Sequence, residues 1–217
     1  MGSLSASLAA VHARIEATGR AVDSVRLVAV TKGFGPEAVV AAAEVGLVDC
    51  GENQAQSLLA KAGSAPPGTQ WHFLGPVQRN KVKALAAHVS VWHGIDRLVA
   101  AESVARHQPG AAVFVQVNLT GDPGRPGCDW DGTDVLVASA VALGLEVRGL
   151  MGVASRDLIA AREQFRGLAR VAQRTGVAEL SMGMSGDLEV ALEEGATMVR
   201  VGTALFGARP RPLEVRR

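Results

Sequence analysis

Two hydrophobic rhythms alternate along the chain. Short runs rich in β-branched residues begin near Leu27 (LVAV), Val48 (VDCG), Gln70 (QWHFLG), Val89 (VSVWHGI), Ala112 (AVFVQVNL), Leu145 (LEVRGLMGV), Ala178 (AELSMG) and Met198 (MVRVGT). Between them lie Ala-rich stretches with helical spacing, as where Leu158, Phe165, Leu168 and Ala172 share one stripe. Successive run starts are 21, 22, 19, 23, 33, 33 and 20 residues apart. Each interval holds one helix and two turns, as a crossover between parallel strands requires. Pro36 and Gly46 suit the start and the end of the helix after the first strand. The stretch before Leu27 predicts an additional N-terminal helix. Eight such units predict an α/β chain, a (β/α)8 TIM-type barrel with an extra N-terminal helix. A doubly wound open sheet is the rival, because local strand and helix signals do not distinguish closure from an open edge. No polar linker divides the chain, so residues 1–217 read as a single domain. Gly121 to Gly132 (GDPGRPGCDWDG) reads as an extended surface loop after the fifth strand, of the kind that can cover a site.

Composition narrows the class. The chain is 48% apolar and 20% charged, enough apolar residue for a sizeable core, and its formal charge of +1 gives no long-range pull toward nucleic acid or an anionic membrane. Cys50 and Cys128 lie far apart, which argues against a disulfide framework or a zinc knuckle and suits a reducing compartment. The N-terminus lacks a signal peptide's basic start and apolar stretch. The longest apolar run, Val135 to Leu145, is short of the ~18 residues a bilayer span needs. The expectation is a cytoplasmic protein with no membrane segment. Only four of the 22 basic residues are lysines, and tyrosine is absent.

Candidate chemistry gathers at strand ends. In LVAVTKGFG, Val28, Val30 and Lys32 share a face, so an interior face would bring Lys32 out at the carboxyl end of strand one, where barrel active sites lie. A partly desolvated lysine there can act as an amine nucleophile, and Schiff-base formation with an aldehyde is its natural use. The plainer alternative is an ion pair with Glu52. In LSMGMSGDLEVAL, strand seven runs into Gly183-Met184-Ser185-Gly186 before a helix, and Arg200-Val201-Gly202-Thr203 ends strand eight. Small residues at these two adjacent strand ends suit a phosphate. Arg200, alternating with Met198 and Gly202, needs an acceptor: a ring nitrogen, a carboxylate, or an internal partner such as Glu146. Asn53, His72, Gln116 and Asn118 also lie at strand ends, where each reads more readily as a satisfied core residue. The five histidines show no metal-binding spacing, so no metal site is expected. Gly33-Phe34-Gly35-Pro36-Glu37-Ala38 matches the dinucleotide fingerprint in outline, which admits an NAD-dependent oxidoreductase. Its acidic partner Asp49 comes 16 residues on, earlier than the usual ~20.

The ordered motifs LVAVTK, GENQAQ (Gly51–Gln56), WHFLGPVQRNK (Trp71–Lys81), IDRL (Ile95–Leu98), GLM (Gly149–Met151), SMGMSGD (Ser181–Asp187) and MVRVGTALFGAR (Met198–Arg209) together resemble the pyridoxal phosphate homeostasis protein family, relatives of the alanine racemase barrel. The resemblance implies a fold type III barrel that carries pyridoxal 5′-phosphate (PLP) as an internal aldimine on Lys32. It further implies that Ser185, Gly202 and Thr203 hold the phosphate, that Met184 and Asn53 line the cofactor, and that Arg200 faces the pyridine nitrogen. A cationic arginine there disfavours a protonated ring and makes it a poorer electron sink. Alanine racemase-like enzymes use a tyrosine from a second domain, and this chain is expected to have neither. The implied role is therefore a carrier or regulator of PLP in vitamin B6 homeostasis, with no catalytic residue assigned, rather than a racemase-like enzyme. Apo-PLP enzymes are the implied transient recipients, and a monomer is expected. Two positions depart from the family pattern: Arg125, where relatives often carry Lys, and Gln54, where an aromatic is common.

Overall fold

The computed structural model describes residues 3–208; Arg209, the last residue of the MVRVGTALFGAR motif, and the ends of the expected 1–217 unit lie outside them. Helix α1 (Leu4–Ala17) comes first, with the Ser3 side chain accepting from the Ala6 N–H at its N-cap. The elements that follow are β1 (Arg26–Val30), α2 (Glu37–Glu44), β2 (Asp49–Glu52), α3 (Ala55–Ala62), β3 (Gln70–Phe73), α4 (Arg79–Leu85), β4 (Val89–Ile95), α5 (Leu98–His107), β5 (Ala112–Val117), α6 (Thr133–Ala142), β6 (Glu146–Gly152), α7 (Leu158–Thr175), β7 (Glu179–Ser181), α8 (Leu188–Glu193), β8 (Met198–Val201) and α9 (Thr203–Phe206). All strands are parallel and form a closed barrel in chain order. Closure comes from β1 pairing with β8, Arg26 opposite Met198 and Val28 opposite Arg200, which excludes the open-sheet alternative. The expected elements are all present, with strand starts within one residue of those read from the pattern.

Alternation along the strands divides the core in two. Outward residues such as Leu27, Ala29, Val113 and Leu150 pack against the helix ring. Inward residues Val28, Val91, Ala112, Phe114, Met151 and Met198 fill the barrel interior. Alongside this apolar filling the interior carries a polar seam: His72, His93 and Ser181 are completely buried, and Arg200 is nearly so. Gly149 allows β6 and β7 to approach, since a Cβ there would fall 1.8 Å from the Glu179 carbonyl oxygen. Helix α1 packs against α8 and α9 beside the last two strands. Among the described residues no helix is long and apolar enough to cross a membrane.

Candidate functional site

The carboxyl ends of the strands surround a cavity of about 420 Å³. Lys32, Asn53, Met184, Ser185, Arg200, Gly202 and Thr203, the residues the resemblance assigned to the cofactor, all line it, whereas His72 and Asn118 do not. Its apolar wall includes Val30, Leu74, Met151 and Pro126. Such a slot, with few polar groups converging on it, suits a flat aromatic ligand.

Lys32 sits two residues beyond β1 in a tight turn closed by Phe34 N–H donating to Thr31 O (3.1 Å). Gly33, at the third position, has φ +82°, the left-handed value a type II turn demands. The Lys61 ammonium, on α3, donates to the same Thr31 carbonyl (2.8 Å) and to Glu52 Oε1 (2.5 Å). The Thr31 hydroxyl also donates to Glu52 Oε1 (2.8 Å). Glu52 pairs with Lys61, and this buried cluster anchors the turn. The dinucleotide fingerprint has a structural explanation too. Gly33 serves the turn, and the Glu37 carboxylate accepts from Gly35 N–H (3.0 Å), placing the chain's own negative charge where a pyrophosphate would approach.

Across the mouth, Ser185 Oγ accepts from Ala204 N–H (3.2 Å) and so joins the loops after β7 and β8. Asp187 Oδ1 accepts from Met184 N–H (2.6 Å), closing the Met184–Asp187 turn. Burial raises the Asp187 carboxyl against the hydrogen bond from Met184 and the charge of Arg200. From α1, Arg14 donates to the Ser185 carbonyl (3.0 Å) and grips both oxygens of Glu189 (2.6 and 2.7 Å). The N-terminal helix thus holds the turn that carries Ser185. Gly186 and Gly202 both line the cavity; a Cβ on Gly186 would meet nothing within 4 Å, whereas one on Gly202 would crowd Val30 O at 3.2 Å.

Arg200 is buried, donating to Gly152 O (2.8 Å), to Ser181 Oγ (2.8 Å) and to the Ser181 carbonyl. Glu146, the alternative partner, bonds Arg148 instead. Burial pushes the Arg200 guanidinium down to about 10, with Asp187 opposing, so it is a cation at neutral pH. Gln116 also lines the cavity. Its Nε2 donates to Pro126 O (3.2 Å), while its buried Oε1 has no partner among the described residues. The loop after β5 folds back over this wall: Cys128 N–H donates to Gln116 O (2.9 Å) and Asn118 N–H to Cys128 O (2.8 Å). Arg125 reaches the Ala154 carbonyl (3.1 Å). The expected surface loop is therefore a wall of the site.

Three contributors went unassigned in the sequence. Arg14 and Lys61 act through contacts to distant chain segments, which no local pattern signals. Gln116 was visible at a strand end, and only its orphaned acceptor distinguishes it from a satisfied core amide. The residues present fit a phosphorylated pyridine aldehyde: an amine, a hydroxyl-bearing turn, an apolar slot and a buried cation converge on one cavity.

Comparison with known proteins bears on the same cavity. Residues 6–210 match the family described as alanine racemase, N-terminal domain. The chain is 39% identical to the pyridoxal phosphate homeostasis protein of Pseudomonas aeruginosa, over 96% of this chain and 97% of that one. It is 40% identical to the protein of the same name from Deinococcus radiodurans, over 94% and 99%. Among solved structures it is similar to PipY of Synechococcus elongatus with PLP bound, at 28% identity and a TM-score of 0.82, covering 94% of this chain and all of that one.

Proposed function

The chain belongs to the alanine racemase N-terminal domain family and, within it, to the pyridoxal phosphate homeostasis proteins, and from that premise we propose that it binds PLP in the cavity at the strands' carboxyl ends and serves intracellular PLP homeostasis. The observation that carries this reading is the convergence of Lys32, Ser185, Gly202, Thr203 and Arg200 on a single cavity. Bound PLP supplies an electrophilic aldehyde and a ring able to take up electron density. Lys32 Nζ, at the cavity wall, is the amine that would hold PLP through its aldehyde carbon. Ser185 and Thr203 offer hydroxyl donors, and Gly202 an unobstructed backbone, to the phosphate. Asn53 and Met184 border the ring. Arg200 presents a buried cation, with donors only, to the cavity, and a ring nitrogen held there would be favoured as an unprotonated acceptor.

This polarity favours holding the cofactor over stabilising carbanions, and we therefore assign a carrier or regulator role rather than racemase-like turnover. We place the protein in the cytoplasm as a single-domain monomer that meets apo-PLP enzymes transiently. Spectrophotometric titration with PLP tests the reading. Wild type should develop a saturable visible band at one equivalent, and Lys32→Ala should not. A wild-type protein with no saturable band, or a variant with the same band, would contradict it.

A further inference from the structure

The polar seam inside the barrel forms a continuous chain of hydrogen bonds. Asp49 Oδ1 lies 2.8 Å from His72 Nε2, His72 Nδ1 lies 2.9 Å from His93 Nε2, and His93 Nδ1 lies 3.0 Å from Ser181 Oγ. Ser181 Oγ in turn lies 2.8 Å from Arg200 Nη1. Asp49 starts β2 at the amino-terminal mouth of the barrel, whereas Arg200 reaches the cavity at the other mouth. The seam therefore crosses the barrel interior. His72, His93 and Ser181 have no exposed surface, and the His93 ring stacks on Phe114 with centroids 4.6 Å apart.

Donor and acceptor chemistry fixes the direction of every link. A guanidinium only donates, so Ser181 Oγ accepts from Arg200. The Ser181 hydroxyl hydrogen then goes to the acceptor beside it, His93 Nδ1. That leaves the His93 proton on Nε2, from which it is given to His72 Nδ1. His72 carries its own proton on Nε2 and gives it to the Asp49 carboxylate. The opposite order would bring two donors onto Ser181 Oγ and leave its buried hydrogen unpaired, a costly arrangement in this dry interior. Burial, with the charge of Arg200, holds the His93 imidazole well below its ordinary range, in keeping with a neutral ring. The charged groups around the chain sit at its two ends: Arg26, 3.9 Å from Asp49, and Arg148 at one, and Asp187 near Arg200 at the other.

We propose that Asp49, His72, His93 and Ser181 are positioning residues for Arg200, a one-directional relay that holds its guanidinium toward the cavity and couples it to a carboxylate at the opposite mouth. This proposal rests on the reading that the cavity takes PLP. Cutting the relay at Asp49 removes the terminal acceptor without touching the cavity. The His72 Nε2–H is then a buried donor without its acceptor, a cost that offsets that of an unpaired Ser181 hydrogen, so reversal of both tautomers competes and disturbs the acceptor that Ser181 offers Arg200.

Long-range ¹H–¹⁵N correlation spectra of the imidazoles, recorded without PLP, test the direction. Both His72 and His93 should be neutral Nε2–H tautomers at neutral pH in wild type. Asp49→Leu should shift both toward Nδ1–H and weaken PLP binding roughly threefold to tenfold, the effect of one lost neutral hydrogen bond. Asp49→Asn keeps a carbonyl acceptor for His72 and should restore both readouts, which a purely structural role for the charge would not do. Nδ1–H or imidazolium forms in a wild-type protein that binds PLP normally would overturn the relay alone. Unchanged PLP binding and tautomers in a folded Asp49→Leu protein would also overturn it. A wild type that binds no PLP would overturn the reading of the cavity, and with it the role of the relay.

Discussion

Replacing Lys61 by methionine tests how the turn carrying Lys32 is held. The Lys61 side chain is 4% exposed and that of Glu52 is fully buried, so neither charge has water to fall back on. Lys61 bridges Glu52 Oε1 and the Thr31 carbonyl, and Glu52 Oε2 already lacks a partner among the described residues. Methionine preserves most of the volume and deletes the cation. Removing one partner of a buried pair costs about 3–5 kcal/mol, because the remaining charge is left unpaired. For a chain of this length each kcal/mol lowers Tm by about 2–4 °C, so a fall of about 6–20 °C is expected. Urea unfolding should show a lower midpoint at an unchanged slope. The double replacement Glu52→Leu with Lys61→Met removes both charges and should recover much of the loss, since Thr31 Oγ1 retains Gly51 O at 3.5 Å. A loss below about 1 kcal/mol in the single variant, or a double variant less stable than the single, would refute the anchoring argument. Because Thr31 precedes Lys32, the single variant should also bind PLP more weakly than its residual folded fraction explains.

Further outcomes follow from other groups. Gln116→Leu should weaken PLP binding, because Gln116 lines the cavity and its Nε2 ties Pro126, another lining residue, to the wall; unchanged affinity in a titration would show that this tie is incidental. The Cys50 thiol, pushed up to about 12 by burial and by the charges of Asp49 and Glu52 against Lys61, should resist iodoacetamide at pH 8 in the native protein and react on unfolding; native labelling at the rate of a free thiol, read by mass spectrometry, would contradict this. Acid should destabilise the fold through groups held below the usual carboxylate range. The Arg14 hydrogen bond lowers Glu189 against burial. In Asp49, burial raises the carboxyl, and the His72 hydrogen bond with the charges of Arg26 and Arg148 outweighs it. Their stabilisation is present above the unfolded values, near pH 4, and is lost as pH falls through the lower folded values. Urea midpoints of wild type and Glu189→Gln should therefore converge on acidification; a constant gap down to pH 2 would contradict the assignment.

Elements were legible in the sequence because β-branched runs and Ala-rich stretches alternate between Gly and Pro breaks at near-regular spacing. Closure was not, since the pairing of Val28 with Arg200 joins segments at opposite ends of the chain, and no local rhythm encodes it. Lys32, Ser185 and Gly202 could be found because each follows a strand end, and strand ends in this architecture define one mouth. The pairing of Lys61 with Glu52 and the grip of Arg14 on Ser185 depend on how helices settle around the barrel. The histidine seam shows the same limit from within: His72 reads as an ordinary core residue on its own strand, and only the register of β3 against β4 brings it within 2.9 Å of His93.

The most direct measurement is borohydride reduction of the PLP-saturated protein followed by peptide mass mapping. The account predicts one pyridoxyl adduct, on Lys32, displaced by neither Lys61, Lys81 nor Lys83. An adduct confined to another lysine, or none at saturating PLP, would contradict the claim that Lys32 and the surrounding cavity form the cofactor site.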